Sequence, residues 1–190
     1  MKKIFIDCGC QLGQGLKQIC NLENITNEWQ VYSFEANPVT FEKIKKNKYV
    51  RYFNVAVSDK YGFSIFNCEK WDDNGFMGGG STLVELDNWN TQRVYTVKPL
   101  YIQTLVPTID LSDFILNINP EENSIIIKLD IEGSEYNILK KFENLNIFKY
   151  IKKIYIEFHD HILDNLTEDN NSGYWMRYFN DNNIEVVVWH

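Results

Sequence analysis

The segment IFIDCGCQLGQG, residues 4–15, is an apolar run that ends in an acidic residue and continues into a glycine-rich turn. VYSFEANP at residues 31–38 and IIIKLDIEGSEYNIL at residues 125–139 share this plan. Such runs predict strands that pass into a loop and then a helix. In an open α/β sheet, ligands bind outside the carboxyl ends of the strands. The acidic residues that end the three runs are therefore expected to line one crevice: Asp7, Glu35 and Asp130.

Short β-rich runs alternate with helical stretches along most of the chain, which predicts βαβ units and a mainly parallel sheet. The expected fold class is therefore α/β, with a Rossmann-like, doubly wound sheet. Its predicted strands cover residues 3–7, 31–35, 50–57, 125–130, 151–158 and 184–189. The predicted helices cover about residues 13–20, 38–47, 110–117, 135–142 and 173–181. Ser134 is expected to cap the fourth helix, and residues 1–190 are expected to form one domain because no linker divides them.

The middle of the chain has a different pattern. FSIFNC at residues 63–68 and VYTVKPLYIQTLV at residues 94–106 predict a small antiparallel insertion around residues 62–106, with the second strand bent at Pro99. The polar loop WDDNGFMGGGST between them is long for a compact domain. Its glycines and aromatic residues make it a candidate lid or substrate-recognition segment.

The composition argues against several classes of partner. The chain has 190 residues, a net charge of −7 and a sequence pI near 5.0, and we interpret its most basic stretch, residues 43–48, as a solvated helix face. Nucleic-acid binding through phosphate neutralisation is therefore not expected. No apolar run approaches the ~18 residues of a membrane span, and none resembles a signal peptide, so we expect a soluble, cytoplasmic protein. The four cysteines form no C-x-x-C pair and are interpreted as buried thiols.

The turn after the first predicted strand, Asp7-x-Gly9-x-x-x-Gly13, indicates a ligand that approaches the backbone closely. Its spacing differs from the G-x-G-x-x-G fingerprint of dinucleotide-binding sites, and its acidic residue would repel phosphate but attract an ammonium or sulfonium group. Glu35 ends the second strand, where a carboxylate can accept hydrogen bonds from both hydroxyls of a ribose. These features favour a positively charged, ribose-containing cofactor without phosphates. A plain tight turn and a capping acid are the alternatives for each feature alone.

Six short blocks of the chain resemble the FkbM family of class I S-adenosylmethionine-dependent O-methyltransferases, and they keep the family's order. The blocks are Asp7-Cys8-Gly9-Cys10-Gln11-Leu12-Gly13, Phe34-Glu35-Ala36-Asn37-Pro38, Ala56-Val57-Ser58-Asp59, Thr108-Ile109-Asp110, Lys128-Leu129-Asp130-Ile131-Glu132-Gly133-Ser134-Glu135 and Glu157-Phe158-His159. The fifth block matches the K-x-D-x-E-G-x-E signature in full and is the most specific. Cys10, Gln11 and Ala36 replace the usual Ala, Asn and Pro, which alters the cofactor loop sterically but removes no charge.

This resemblance implies a class I methyltransferase fold, S-adenosylmethionine as cofactor, and methyl transfer to a hydroxyl group of a sugar or related small molecule in glycan biosynthesis. Nucleotide sugars are among the candidate acceptors. The expected cofactor-binding residues are Asp7, Gly9, Cys10, Gly13, Glu35, Ala36, Ala56, Val57, Ser58 and Asp59. Asp59, or the main chain around Val57 and Ser58, is expected near the adenine. The alternatives are a nicotinamide-dependent oxidoreductase, which the glycine spacing disfavours, and a non-catalytic S-adenosylmethionine-binding module.

Four charged residues near the ends of the later strands are the predicted catalytic residues: Lys128, Asp130, Glu157 and His159. Methyl transfer from a sulfonium is an in-line displacement, so the enzyme must align the acceptor hydroxyl and make it more nucleophilic. Direct removal of the hydroxyl proton by a carboxylate or histidine is the favoured mechanism. Alternatively, Asp130, Glu157 and His159 could hold Mg²⁺ or Mn²⁺, which would lower the pKa of the hydroxyl. A purely structural ion pair is the alternative interpretation of Lys128 and Asp130.

Overall fold

The computed structural model describes residues 2–70, 80–88 and 100–189. The strands are β1 (Ile4–Cys8), β2 (Gln30–Phe34), β3 (Val50–Phe53), β4 (Ala56–Ser58), β5 (Gly62–Lys70), β6 (Leu100–Asp110), β7 (Ile125–Leu129), β8 (Ile151–Ile156) and β9 (Glu185–Val188). The α-helices are α1 (Gln14–Leu22), α2 (Pro38–Lys43), α3 (Leu111–Asn117), α4 (Glu135–Asn144) and α5 (Ser172–Asp181). Short 3₁₀ helices cover Leu86–Asn88 and Ile147–Tyr150. Within the described residues, no helix has the length and apolar character needed to cross a bilayer.

A six-stranded sheet forms the centre of the fold, with strand order β3-β2-β1-β7-β8-β9. All neighbouring strands in it are parallel, and the chain reverses its direction across the sheet between β1 and β7. Every residue of β1 and β7 is buried, which explains why both strands have nearly continuous apolar sequences. The predicted α/β class with a doubly wound sheet is confirmed.

Helices cover both faces of this sheet, because successive strand residues point to opposite faces. The larger core joins one face to α3, α4 and α5. On the other face, Phe5 and Ile126 pack with α1. Asp7 and Lys128 follow two residues after Phe5 and Ile126, so strand alternation places them on the α1 face. A Cβ on Gly15 of α1 would lie 3.0 Å from Lys128 Cε, so the helix packs closely over this lysine.

A second sheet has three strands in the order β4-β6-β5. β5 and β6 are antiparallel, as predicted, with Gly62 opposite Thr108 and Lys70 opposite Leu100. β4 is parallel to β6, so the small sheet is mixed rather than wholly antiparallel. The predicted bend at Pro99 and most of the glycine-rich loop, residues 71–79, lie outside the described residues.

Two elements are shorter than predicted. Residues 50–57 are divided between two sheets, because the chain leaves the main sheet after β3. Asn54 Nδ2 then donates hydrogen bonds to the carbonyl oxygens of Glu35 and Ala36, at 2.8 and 3.3 Å, and β4 begins in the small sheet. The helix predicted over residues 38–47 ends early because Ile44 adopts extended backbone and is buried in the core on the α1 face.

Helices α3 and α4 begin differently, and the predicted cap of α4 is not formed. Asp110 caps α3, since its carboxylate accepts a hydrogen bond from the N–H of Asp113 at 3.2 Å. Ser134 precedes α4 but makes no side-chain capping hydrogen bond. The next residue, Glu135, binds the backbone of the preceding turn instead.

Candidate functional site

A cavity of about 270 Å³ lies at the carboxyl ends of β1, β2 and β7, where a doubly wound sheet is expected to bind its ligand. Its wall comes mainly from the turn after β1, the segment after β2, strand β4 and the turn after β7. The predicted site residues that line it are Gly9, Glu35, Ala36, Ala56, Val57, Asp130 and Glu157. These residues come from five of the six sequence blocks, and the fold brings them together.

The turn after β1 depends on Gly9, whose φ of +81° lies in the left-handed region that favours glycine. A Cβ at this position would lie 1.8 Å from the carbonyl oxygen of Asp130, so a larger residue would push β1 and β7 apart. The N–H groups of Gly9 and Cys10 both donate to the carbonyl oxygen of Phe34, at 3.1 and 2.9 Å, which ties the turn to β2. Cys10 and Gly13 therefore shape the turn and are not among the residues that line the cavity.

Glu35, directly after β2, is 8% exposed and lines the cavity. Its Oε2 accepts a hydrogen bond from the N–H of Gln11 at 2.7 Å, and its Oε1 accepts one from the N–H of Asn37 at 2.8 Å. Burial raises the pKa of this carboxyl group to about 7, although the two backbone hydrogen bonds oppose the shift. Each oxygen keeps a second lone pair, so the carboxylate can accept further hydrogen bonds from a ligand.

Asp7 and Lys128 are buried beneath the turn and do not line the cavity. Lys128 Nζ donates to the carbonyl oxygen of Gly9 at 2.8 Å, and it lies 2.9 Å from Asp130 Oδ2 and 3.7 Å from Asp7 Oδ1. Burial alone would lower the pKa of Lys128, but the charges of the two aspartates outweigh it and raise the pKa. Lys128 is therefore a cation that holds the ends of β1 and β7 together, which agrees with the structural interpretation of its ion pair.

The turn after β7 places Glu132 in the cavity wall with a φ of +54°, a left-handed conformation that is uncommon for glutamate. Glu135 holds this turn, since its Oε1 accepts from the N–H of Ile131 at 2.7 Å and its Oε2 from the N–H of Gly133 at 2.9 Å. The carbonyl oxygen of Glu132 also accepts a hydrogen bond from Thr82 Oγ1. The described end of the glycine-rich loop is thereby fixed against the turn.

His159 is 3% exposed and lies between two carboxylates. Its Nε2 is 3.2 Å from Glu132 Oε2, and its Nδ1 is 3.2 Å from Glu135 Oε1. Burial alone would lower the pKa of the imidazole, but the charges of both glutamates raise it well above its usual value. The raised pKa favours the protonated ring, which pairs with both glutamates.

Glu157 follows β8 and lines the cavity together with Asp130. Its pKa is raised to about 7, first by burial and then by the negative charge of Asp130. A carboxyl group with a pKa near neutrality can take up and release a proton under the conditions in which most enzymes work. The two carboxylates that the sequence predicted to act together therefore meet in one wall of the cavity.

Asp130, Glu132 and His159 could each offer one metal-ligand atom, and in the described part of the chain these atoms lie within 4.8 Å of one another. The predicted metal set contained Glu157 where this group has Glu132. Both nitrogens of His159 face carboxylates, and its raised pKa favours the protonated ring, whereas a metal requires an unprotonated nitrogen. Mg²⁺ or Mn²⁺ at this position would therefore have to displace the proton of His159 and its contacts with Glu132 and Glu135.

The third sequence block is divided between two cavities. Ala56 and Val57 line the first cavity, whereas Ser58 and Asp59 line a second cavity of about 310 Å³. Asp59 is also tied to α4, because its carbonyl oxygen accepts a hydrogen bond from Lys141 Nζ at 2.7 Å.

Several residues of the first cavity were not assigned to the site from the sequence: Gln11, Asn37, Thr40, Phe66, Leu83 and Glu132. Asn37 and Glu132 lie inside the blocks that carry the family resemblance, so a signal for them was present. Phe66 and Leu83 come from β5 and from the end of the glycine-rich loop. Their distance along the chain from the other site residues explains why no local pattern identified them.

A comparison with protein families matches residues 8–183 to the methyltransferase FkbM domain. Among solved structures, the chain is similar to methyltransferase FkbM from Methylobacillus flagellatus KT, with a TM-score of 0.41 and 14% sequence identity. That similarity covers 75% of this chain and 29% of the other chain, so it spans less than a third of that protein. A comparison with curated proteins finds no match.

Proposed function

The chain belongs to the FkbM methyltransferase family, and on that premise we propose that it is an O-methyltransferase. It would move a methyl group from S-adenosylmethionine to a hydroxyl group of a sugar or related small molecule, in glycan biosynthesis. The observation that carries this proposal is one cavity with Glu35 on its β2 side and with Asp130 and Glu157 on its β7–β8 side. Three strand spacings separate β2 from β8, about 14 Å in all, which leaves room for a cofactor and the reacting end of an acceptor.

The β2 side of the cavity fits the adenosine part of the cofactor. Glu35 has free lone pairs for the ribose hydroxyls, and Val57, Phe66 and Leu83 provide apolar surface for a planar base. Among the described lining residues, none is a lysine or arginine, which agrees with a cofactor that carries no phosphate. When bound, S-adenosylmethionine supplies a methyl group that is already activated on a sulfonium.

On the β7–β8 side, Asp130 and Glu157 accept the proton of the acceptor hydroxyl. The pKa of Glu157 is raised to about 7, first by burial and then by the negative charge of Asp130. Glu157 can therefore be ionised before the reaction and take up the proton as the bond from oxygen to the methyl carbon forms and the bond from sulfur to that carbon breaks. Lys128, 2.9 Å from Asp130, fixes the position of that carboxylate. The products are a methyl ether, S-adenosylhomocysteine as the neutral thioether, and the hydroxyl proton, which is taken up by the Glu157 carboxylate.

A radiolabelled methyl-transfer assay tests this proposal. The protein is incubated with S-adenosylmethionine that carries the label on its methyl group, together with a panel of methyl glycosides, nucleotide sugars and other hydroxylated compounds. We expect the label in an alkali-stable ether on at least one sugar, and its loss in Glu157→Gln. Glu122, an exposed glutamate, provides the matched control, since Glu122→Gln should retain full activity. Transfer only to nitrogen or sulfur acceptors, or to none of the panel, would contradict the proposed reaction.

Titration with S-adenosylhomocysteine and with NAD separates the proposal from an oxidoreductase. We expect S-adenosylhomocysteine to bind and NAD not to bind, because the pyrophosphate of NAD would meet the carboxylates of Glu35 and Asp130 without a described cation in the cavity wall. Binding of NAD at the same site, with no binding of S-adenosylhomocysteine, would reject the proposed cofactor.

A further inference from the structure

Asn37, which follows Glu35 by two residues, contains a buried donor without a partner. Its Nδ2 has no hydrogen-bond partner among the described residues, although the residue is only 2% exposed. Folded proteins seldom retain a buried amide nitrogen in this state without a reason. Asn37 also lines the first cavity, so a ligand there is in a position to supply the missing acceptor.

The side-chain oxygen and the backbone N–H of Asn37 already form hydrogen bonds within the protein. Its Oδ1 accepts hydrogen bonds from the N–H groups of Val39 at 3.0 Å and Thr40 at 3.3 Å, which caps α2. Its own N–H donates to Glu35 Oε1 at 2.8 Å. The side-chain amide therefore cannot turn over without loss of the cap, and the backbone N–H groups of α2 that it caps are occupied. What Asn37 can offer a ligand is Nδ2.

We propose that Asn37 Nδ2 donates a hydrogen bond to a ribose hydroxyl oxygen of the cofactor, while Glu35 accepts the hydroxyl hydrogens. This inference rests on the proposed use of S-adenosylmethionine and identifies a further residue that contacts its ribose. A hydroxyl group can accept and donate at once, so a carboxylate and an amide held side by side match a vicinal diol. A ribose that lacks one hydroxyl would leave one of the two protein groups unsatisfied.

Two substitutions remove the Nδ2 donor of Asn37 but keep a residue that can cap α2. Ser and Asp are about as effective as Asn at a helix N-cap, so Asn37→Ser and Asn37→Asp should both keep α2 while removing Nδ2. We expect each to weaken the binding of S-adenosylhomocysteine about tenfold in a calorimetric titration, the loss of one hydrogen bond. The loss should be larger for Asn37→Asp, which adds a negative charge beside Glu35. The melting temperature of each should stay within about 2 °C of the wild type.

Adenosine, 2′-deoxyadenosine and 3′-deoxyadenosine then locate the contact. In the wild type, the deoxynucleoside that lacks the contacted hydroxyl should bind more weakly than adenosine. In Asn37→Ser the same comparison should show a smaller difference, because the protein side of the contact is already absent. The coupling between the substitution and the missing hydroxyl is a readout that a purely structural role would not produce.

Each result of these titrations supports or overturns the proposed contact of Asn37. Weaker binding in both variants, coupled to one hydroxyl, supports the inference. Unchanged affinity in Asn37→Ser, or a loss confined to Asn37→Asp, overturns it, and so does a loss that appears only with unfolding in both variants. Wild-type protein that binds neither S-adenosylhomocysteine nor adenosine would contradict the proposed function itself and, with it, the proposed contact of Asn37.

Discussion

The two sides of the first cavity hold their carboxylates by different means. On the β2 side, Glu35 accepts hydrogen bonds from two neutral backbone N–H groups. On the β7 side, Asp130 lies 2.9 Å from Lys128 and Glu132 lies 3.2 Å from His159. Neutral donors fix a carboxylate without cancelling its charge, whereas a cation cancels most of it. The β2 side therefore presents a ligand with a carboxyl group that no cation neutralises, whereas the carboxylates of the β7 side belong to a network of ion pairs.

The largest effect is expected at the carboxylate pair of the β7–β8 side. Glu157→Gln or Asp130→Asn should lower turnover by about 10²–10⁴-fold, because each keeps the shape of the side chain but removes the charge that accepts the proton. The affinity for S-adenosylhomocysteine should change by less than about threefold, or roughly 0.7 kcal/mol. Steady-state kinetics and calorimetry measure the two quantities. Near-normal turnover in either variant would show that the reaction centre lies elsewhere.

The ion network should also dominate stability on that side. Lys128→Met leaves the buried Asp7 and the partly buried Asp130 without their cation, so we expect the free energy of unfolding to fall by about 3–5 kcal/mol. Lys140 provides the control, because it forms an exposed ion pair with Glu143 at 2.9 Å, and Lys140→Met should cost less than about 1 kcal/mol. Urea denaturation measures both. Equal losses in the two variants would show that the buried network contributes no more than a surface ion pair.

Glu35 should make the apo protein less stable as the pH rises. Its carboxyl group has a folded-state pKa of about 7 against an ordinary value of 4.5, so the folded protein binds the extra proton. The stability from this group is present below about pH 4.5 and is lost as the pH rises towards 7, by up to about 3 kcal/mol. Glu35→Gln should remove this dependence. Urea denaturation of both proteins across that range checks it, and identical slopes would contradict the buried state of Glu35.

The smallest effect is expected from metal removal. Because His159 already pairs with Glu132 and Glu135, a metal would have to displace these contacts before Asp130, Glu132 and His159 could bind it. EDTA should therefore leave methyl transfer within about twofold of its starting rate, a change of roughly 0.4 kcal/mol. Loss of activity that Mn²⁺ or Mg²⁺ restores would show instead that the β7 side gives up a proton from His159 to bind a metal.

The sequence predicted the strands that carry the site because their signals are local. The apolar runs of β1, β2 and β7 end in acidic residues, and the position of an acid at a strand end can be read from a few neighbouring letters. The turn around Gly9 was likewise readable. These features predicted one crevice lined by Asp7, Glu35 and Asp130, and the structure places Glu35 and Asp130 in its wall but buries Asp7 beneath the turn.

The ion pairs of the site could not be predicted from local sequence patterns. Lys128 neutralises Asp7, which is far away in sequence, and only the adjacency of β1 and β7 brings them together. His159 was predicted to act as a base, whereas the charges of Glu132 and Glu135 raise its pKa and favour the protonated ring. The division of residues 50–57 between two sheets had a similar origin, because hydrogen bonds from Asn54 to the segment after β2 interrupt the strand. Long-range contacts decided each case.

The central claim is that Glu35 holds the ribose of S-adenosylmethionine, and calorimetric titration of Glu35→Ala with S-adenosylhomocysteine tests it most directly. Glu28 lies in the same part of the chain and is exposed, so Glu28→Ala serves as the control. We predict that Glu35→Ala remains folded but binds more weakly by about 1–3 kcal/mol, because charge-assisted hydrogen bonds to the ribose are lost, while Glu28→Ala binds like the wild type. Unchanged affinity in folded Glu35→Ala would contradict the account.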